Sequence, residues 1–412
     1  MEFINNQQQQ NIAELSSSGL AGSLGILHSS DSFWKSLKDT GTEIWLDTGD
    51  IEEARKLWTK EMSALTTNNT LLNNEIQKGI YDGFIVDVNK LLSELSVEMR
   101  VTEIAFILNA RHGLQLVQEF GGKVSVELHT NTAHDFEAII HYGKRFHEIC
   151  PKSFIIKVPF TPTGLLGARE LRKMGIPINF TLGFSARQNA LITKVAKPDY
   201  VNVFLGRLNA YLANNILGNG RNVGERATLA SQKIVQKVSR DNPWRTRQIA
   251  ASLRSADQLE ALAGVDVFTI PTKVAQDGYD TLDPEFSYKV DEVYEIELNV
   301  EVDQSEVMIK KFWDVDQKVL DFGASLDNDL PKTGSEIVKR AKDFGCQDMF
   351  PELSGEDMHL ISTDGKIPKH KRWAARIKCG ELAIDTLLNL AGLVSFERDQ
   401  TELDNRIKGL LD

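Results

Sequence analysis

Eight short apolar runs, separated by longer amphipathic stretches, constrain this chain more than any other feature. The runs are EIWLDT (43–48), MSALTT (62–67), KVSVEL (123–128), FIIKVP (154–159), IPINFTL (176–182), DYVNVFL (199–205), TRQIAAS (246–252) and DVFTI (266–270). Several are apolar on both faces, the mark of strands covered on both sides, as in parallel sheets. The intervening stretches read as helices. GLLGARELRKMG (164–175) has apolar residues at helical spacing and stops at Gly175, and ARQNALITKVAKP (186–198) stops at Pro198. HDFEAIIHYGKRFHEIC (134–150) gathers Phe136, Ile139, Ile140 and Phe146 on one side. The interval 68–122 has room for more than one helix. Eight strands with helical crossovers allow an open doubly wound sheet or a closed barrel. The count of eight, and the span they cover, favour an α/β fold of the (β/α)8 TIM-barrel type.

Polar residues fall at telling places. Asp47, Glu127, Lys157, Thr181 and Arg254 all lie late in a strand or just beyond one. In a barrel those positions converge on one mouth, where active sites sit. After about residue 275 the pattern weakens. Residues 276–306 are acidic and irregular, 307–348 and 373–412 have helical periodicity, and 329–336 and 354–371 read as loops. The expected division is a flexible N-terminal arm with a lead-in helix (1–38), the barrel (39–306) and a helical extension packed on it (307–412).

Lys157 is a lysine inside an apolar run, FIIKVP. It could belong to an edge strand and reach water. The Val-Pro that follows instead marks the strand's end, which would place the amine in the mouth. A desolvated amine gives up its proton more readily, and a neutral amine attacks a ketone to form a Schiff base. Cleaving a β-hydroxy ketone also needs a base for the hydroxyl and a proton relay. Asp47, Glu127 and Thr181 supply two carboxylates and a hydroxyl. Each has a plainer reading: a helix cap for Asp47 (although Asp50 suits that better), a surface ion pair for Glu127, strand packing for Thr181. Arg207 and Arg254 follow the sixth and seventh strands. Their guanidinium forks suit a phosphate, unless each pairs with a carboxylate at the rim.

A net charge of −11 argues against a nucleic-acid binder and leaves room for a small basic pocket. Cys150, Cys346 and Cys379 are widely spaced with no CxxC, so neither a zinc cluster nor a disulfide framework is indicated, and a reducing compartment fits. The glutamine- and serine-rich N-terminus is unlike a signal peptide. No apolar run approaches the roughly 20 residues of a membrane span. A soluble, cytoplasmic protein is expected. LGNGRNVGER (217–226) does not match the dinucleotide fingerprint, and the histidine spacings do not pair two ligands on one helical face. No cofactor and no metal are expected.

Over about residues 43–275 these motifs resemble the transaldolases. WLDTGDIEEARKL is similar to the family's first strand, with its acid/base aspartate at Asp47. TTNNTLL resembles T-T-N-P-S-L, with the substrate-binding asparagine at Asn68. VSVELHTNTAHD resembles the strand that carries the glutamate, Glu127. IIKVPFTPTGLLGARELRKMGIPINFTLGFS is similar to the Schiff-base block, with the lysine at Lys157, the relay threonine at Thr181 and a pocket phenylalanine at Phe184. FLGR places a phosphate arginine at Arg207, and AASLRS a serine and an arginine at Ser252 and Arg254. DQTELDNRIKGLL (399–411) resembles a family C-terminal helix. The sequence departs from the pattern at Asn69, where the family has proline, at Phe160, where it has alanine, and at Asn202-Val203, where it has serine-proline. Asn202 stands where substrate is handled.

The resemblance implies a metal-independent transaldolase of the non-oxidative pentose phosphate pathway. It would move a dihydroxyacetone unit between sugar phosphates: from sedoheptulose 7-phosphate or fructose 6-phosphate to glyceraldehyde 3-phosphate or erythrose 4-phosphate. A fructose-6-phosphate-type aldolase on the same site, or a non-catalytic sugar-phosphate-binding barrel, are the alternatives. The expected partners are sugar phosphates, with no nucleic acid and no membrane, in a monomer or homodimer.

Overall fold

A computed structural model of the protein describes residues 3–18, 20 and 28–411. The eight expected runs are its eight strands: β1 (Glu43–Asp47), β2 (Met62–Thr66), β3 (Lys123–Glu127), β4 (Phe154–Pro159), β5 (Ile178–Thr181), β6 (Tyr200–Phe204), β7 (Arg247–Ala251) and β8 (Val267–Pro271). They pair in parallel in chain order, and β8 pairs with β1 to close a (β/α)8 barrel. The apolar runs are buried on both faces because side chains alternate between the barrel interior and the surrounding helices. Every residue of β4 is buried.

Local signals set the helix ends. Thr161 caps the helix Pro162–Lys173, its hydroxyl accepting from the Gly164 N–H at 2.8 Å, and Pro162 opens the first turn where its missing N–H is not needed. Gly175 follows in the left-handed region, at φ 81°. The interval 68–122 holds three helices, Asn69–Gln77, Asp82–Leu91 and Val97–Phe120.

The structure differs from expectation in three places. The segment 354–371, expected as loop, contains the helix Gly355–Asp364 and the start of the helix His370–Lys378. Its glycine and aspartates disguise a capping box: the Ser354 hydroxyl accepts from the Asp357 N–H at 3.1 Å, and the Asp357 carboxylate accepts from the Ser354 N–H at 2.8 Å. The N-terminal arm, expected as flexible, carries the helix Asn6–Ser17, with Ile4 and Ile12 buried. The loop expected at 329–336 ends earlier, because the helix Gly334–Asp343 begins inside it.

The extension reaches the barrel mouth through its last helix, Ile384–Lys408. Asn389 on that helix donates to the carbonyls of Phe160 (3.2 Å) and Leu182 (3.0 Å), just past β4 and β5. Gly392 allows close approach, since a Cβ there would lie 2.6 Å from a Leu182 methyl. A buried ion cluster fixes the helix start. Arg187 donates to both oxygens of Asp385, at 2.8 and 2.7 Å, and to Asp348 at 2.9 Å. Among the described residues no helix is long and apolar enough to cross a membrane.

Candidate functional site

The strand register assembles the site. Glu127 on β3 stands beside Lys157 on β4, Lys157 beside Asn179 on β5, and Pro159 beside Thr181. Alternation then puts Lys157 and Glu127 on the interior face, near the C-terminal ends of their strands. Both are 2 % exposed. Lys157 Nζ lies 3.7 Å from Glu127 Oε2 and 3.4 Å from the Thr67 carbonyl. It is no edge-strand amine.

A cavity of about 190 Å³ opens above the lysine. Seven of the ten expected site residues line it: Asp47, Asn68, Lys157, Asn202, Arg207, Ser252 and Arg254. Glu127 adjoins through Lys157. Thr181 is fully buried, with its hydroxyl lacking a hydrogen-bond partner. Phe184 sits behind the wall and meets the cavity-lining Phe204 edge-on, at 5.6 Å between ring centres. The Asn202 amide is already held, donating to Asn179 Oδ1 and the Phe180 carbonyl, both at 2.7 Å. Asn68 spends its Oδ1 capping the helix Asn69–Gln77, accepting from Leu71 N–H at 2.9 Å, which leaves Nδ2 for a ligand.

The arginines converge for a local reason. Ser252 takes a left-handed backbone, φ 64°, unusual for a residue with a side chain. That turn brings its carbonyl against Gly206, where a Cβ would lie 2.2 Å away, and so brings Arg254 beside Arg207. Neither guanidinium forms a salt bridge among the described residues, and the Ser252 hydroxyl and Arg207 Nη1 are buried without partners. The rim-pairing alternative therefore does not hold.

Burial and charge shift the groups around the cavity. Burial pushes the Asp47 and Glu127 carboxyls above their ordinary range, while the Lys157 charge pulls both back and Arg254 also pulls Asp47 back. Burial, followed by repulsion from Arg254, brings Arg207 down to about 10. Unpaired cations at close range repel one another, and a bound dianion would relieve that repulsion.

The site also has a roof that no local sequence signal marks. Phe396, from the C-terminal helix, lines the cavity with its ring centre 5.9 Å from both Lys157 Nζ and Arg207 Cζ. Lys366, from the turn after the helix Gly355–Asp364, supplies a third cation at the rim. Thr70 donates to Asp399 and ties the helix Asn69–Gln77 to the roof. These contacts join residues hundreds apart in the chain, so no local spacing betrays them.

Phe160 does not enter this cavity. It faces outward and forms a wall of a separate, mostly apolar cavity of about 550 Å³ between the β4 end and the extension, 5.6 Å from the Phe350 ring. Among the described residues no group of three or more His, Cys, Asp or Glu is placed to hold a metal ion.

The chain is similar to known proteins over its barrel region. Residues 44–326 match the family described as Transaldolase/Fructose-6-phosphate aldolase. A probable transaldolase of Thermus thermophilus is 33% identical over 237 residues, covering 56% of this chain and 88% of that protein. A Saccharomyces cerevisiae transaldolase is 29% identical over 258 residues, covering 60% and 76%, and a Xanthomonas euvesicatoria transaldolase is 30% identical over 234 residues, covering 54% and 71%. The matched stretch runs from β1 through the whole barrel and into the extension, and on that ground the chain belongs to the transaldolase/fructose-6-phosphate aldolase family.

Proposed function

We propose that this protein is a transaldolase that carries a dihydroxyacetone unit on Lys157 as a Schiff base. The observation that carries the reading is the buried Lys157 amine, 3.7 Å from one carboxylate, in a cavity also lined by Asp47 and by arginines without a salt-bridge partner. Lys157 Nζ adds to the ketone carbon of a ketose phosphate, and loss of water gives the imine. Glu127 and the Thr181 hydroxyl serve the proton transfers of the carbinolamine step. Asp47 takes the proton from the hydroxyl beta to the imine, and the carbon–carbon bond breaks. The electrons of that bond remain on the three-carbon fragment as an enamine. The aldose phosphate leaves, and a second one is attacked by the enamine as Asp47 returns its proton. Arg207, Ser252 and Arg254 hold the phosphate, with Lys366 as a third cation, and Asn68, Asn202 and Phe184 shape the sugar pocket. Sedoheptulose 7-phosphate and glyceraldehyde 3-phosphate, exchanging with erythrose 4-phosphate and fructose 6-phosphate, are the substrates this reading assigns, in the cytoplasm.

The roof favours transfer over release. An enamine exposed to water is protonated and hydrolysed, and Phe396 covers the lysine and narrows the path for solvent. The test is to mix fructose 6-phosphate with enzyme, with and without erythrose 4-phosphate. Transfer predicts sedoheptulose 7-phosphate in quantity and turnover only when the acceptor is present. Multiple turnovers without acceptor, releasing dihydroxyacetone, would instead establish an aldolase.

A further inference from the structure

One hydrogen bond at the site lies outside the proposed reaction steps. The backbone N–H of Asn69 donates to Glu127 Oε2 at 3.2 Å. The same oxygen faces Lys157 Nζ at 3.7 Å. Asn69 is 1 % exposed and is the first residue of the helix Asn69–Gln77, whose cap is Asn68. The N–H groups of a helix's first turn have no partner within the helix and sit at its positive end, so a carboxylate there is both bonded and favoured electrostatically. The Asn109 side chain fixes the other end of the residue, donating to the Glu127 carbonyl at 2.7 Å.

We infer that the Asn69 backbone N–H is a positioning group that holds the Glu127 carboxylate against Lys157. The side chain at 69 matters little to this, because its amide Nδ2 makes no hydrogen bond. What matters is that residue 69 has an N–H at all, which is where the chain departs from the proline of the pattern it resembles. The carboxylate is opposed by burial first and by Asp47 on β1, and supported by Lys157 on β4 and the Asn69 N–H. Arg207 faces it across the cavity, and His129 and Tyr142 face it from behind. Removing one donor should therefore raise the proton affinity of Glu127 further.

The substitution that isolates the donor is Asn69→Pro. Proline is well tolerated at the first helical position, and Asn68 already has the extended backbone (φ −152°, ψ 171°) that a residue before proline adopts. Asn69→Ala keeps the N–H and is the control. That Glu127 acts in the reaction rests on the function proposed above, so the deciding readout is independent of activity: the carboxyl carbon-13 shift of Glu127 against pH. A lost charge-assisted bond predicts a Glu127 midpoint higher by about one pH unit or more in Asn69→Pro and unmoved in Asn69→Ala. In active enzyme the acid limb of kcat/KM moves up with it. An unmoved midpoint in Asn69→Pro, or an equal move in both variants, overturns the inference. Should Asn69→Pro not fold, the Asn69 amide proton of the unsubstituted chain must follow the Glu127 titration and lose that dependence in Glu127→Gln; an amide that does not follow it overturns the inference equally. A wild-type enzyme without turnover that still shows these shifts would overturn the proposed function alone.

Discussion

A buried ion cluster around Arg187 couples the extension to the barrel, and cutting it gives a sharp test. Arg187 follows the fifth strand, on the helix Ala186–Val195, and is 1 % exposed. It makes three charge-assisted hydrogen bonds, two to Asp385 and one to Asp348. In Arg187→Met, Asp348 keeps Lys311 at 3.3 Å. Asp385 keeps only neutral donors, the Ser185 hydroxyl at 2.6 Å and the Thr386 N–H at 3.0 Å. A carboxylate left in a fully buried site without its cation costs about 3–5 kcal/mol. Most of that cost comes from Asp385. Arg187→Met/Asp385→Leu removes the stranded charge, so the double variant should recover at least about 2 kcal/mol of the sum of the single losses. Urea unfolding followed by circular dichroism measures the four stabilities, and limited proteolysis reads whether the C-terminal helix detaches. Because that helix roofs the cavity, loss of protection at residues 384–408 should accompany loss of transfer activity. A loss below about 1 kcal/mol in Arg187→Met, or additive single losses, would refute the claim that this cluster pins the roof.

Further outcomes follow from the same geometry. Asp47→Asn removes the base of the proposed reaction and should lower kcat by about 10²–10⁴-fold. Its native carboxyl is raised by burial, so folding binds its proton more tightly than the unfolded chain does, and the residue costs stability as pH rises past the unfolded value; the amide should raise the melting temperature at pH 7. Arg207→Met should reduce kcat/KM for a ketose phosphate by roughly 10–100-fold, the worth of a charge-assisted bond, while barely touching an unphosphorylated dihydroxyacetone donor. Phe160→Ala should destabilise by about 3 kcal/mol in denaturant melts yet leave the donor KM unchanged, because the ring packs outside the mouth.

The barrel was legible because its signals are local. Each strand is a short apolar run, and Lys157, Asp47 and Glu127 stand out as charges at strand ends. Arg207 and Arg254 were legible for the same reason, since each follows a strand. The roof was not. Phe396 looks like any apolar residue of an amphipathic helix, and only the path of the extension brings it over Lys157. Lys366 sits in a turn whose flanking helix was hidden by a capping box rich in loop-forming residues. The oddity of Phe160 was legible, but whether it faced the pocket depended on strand alternation past Pro159. Asn69 was visible as a departure, whereas its use as a donor to Glu127 depends on a hydrogen bond between segments 58 residues apart.

Chemical trapping asks directly whether Lys157 carries the three-carbon unit. Enzyme incubated with fructose 6-phosphate is reduced with borohydride, digested and analysed by mass spectrometry. The expected product is a single adduct with the mass of the reduced three-carbon dihydroxyacetone unit, on the peptide containing Lys157, with activity lost in proportion to labelling and no adduct in Lys157→Ala. An unmodified Lys157 in enzyme that still turns over, or an adduct at another lysine, would contradict it.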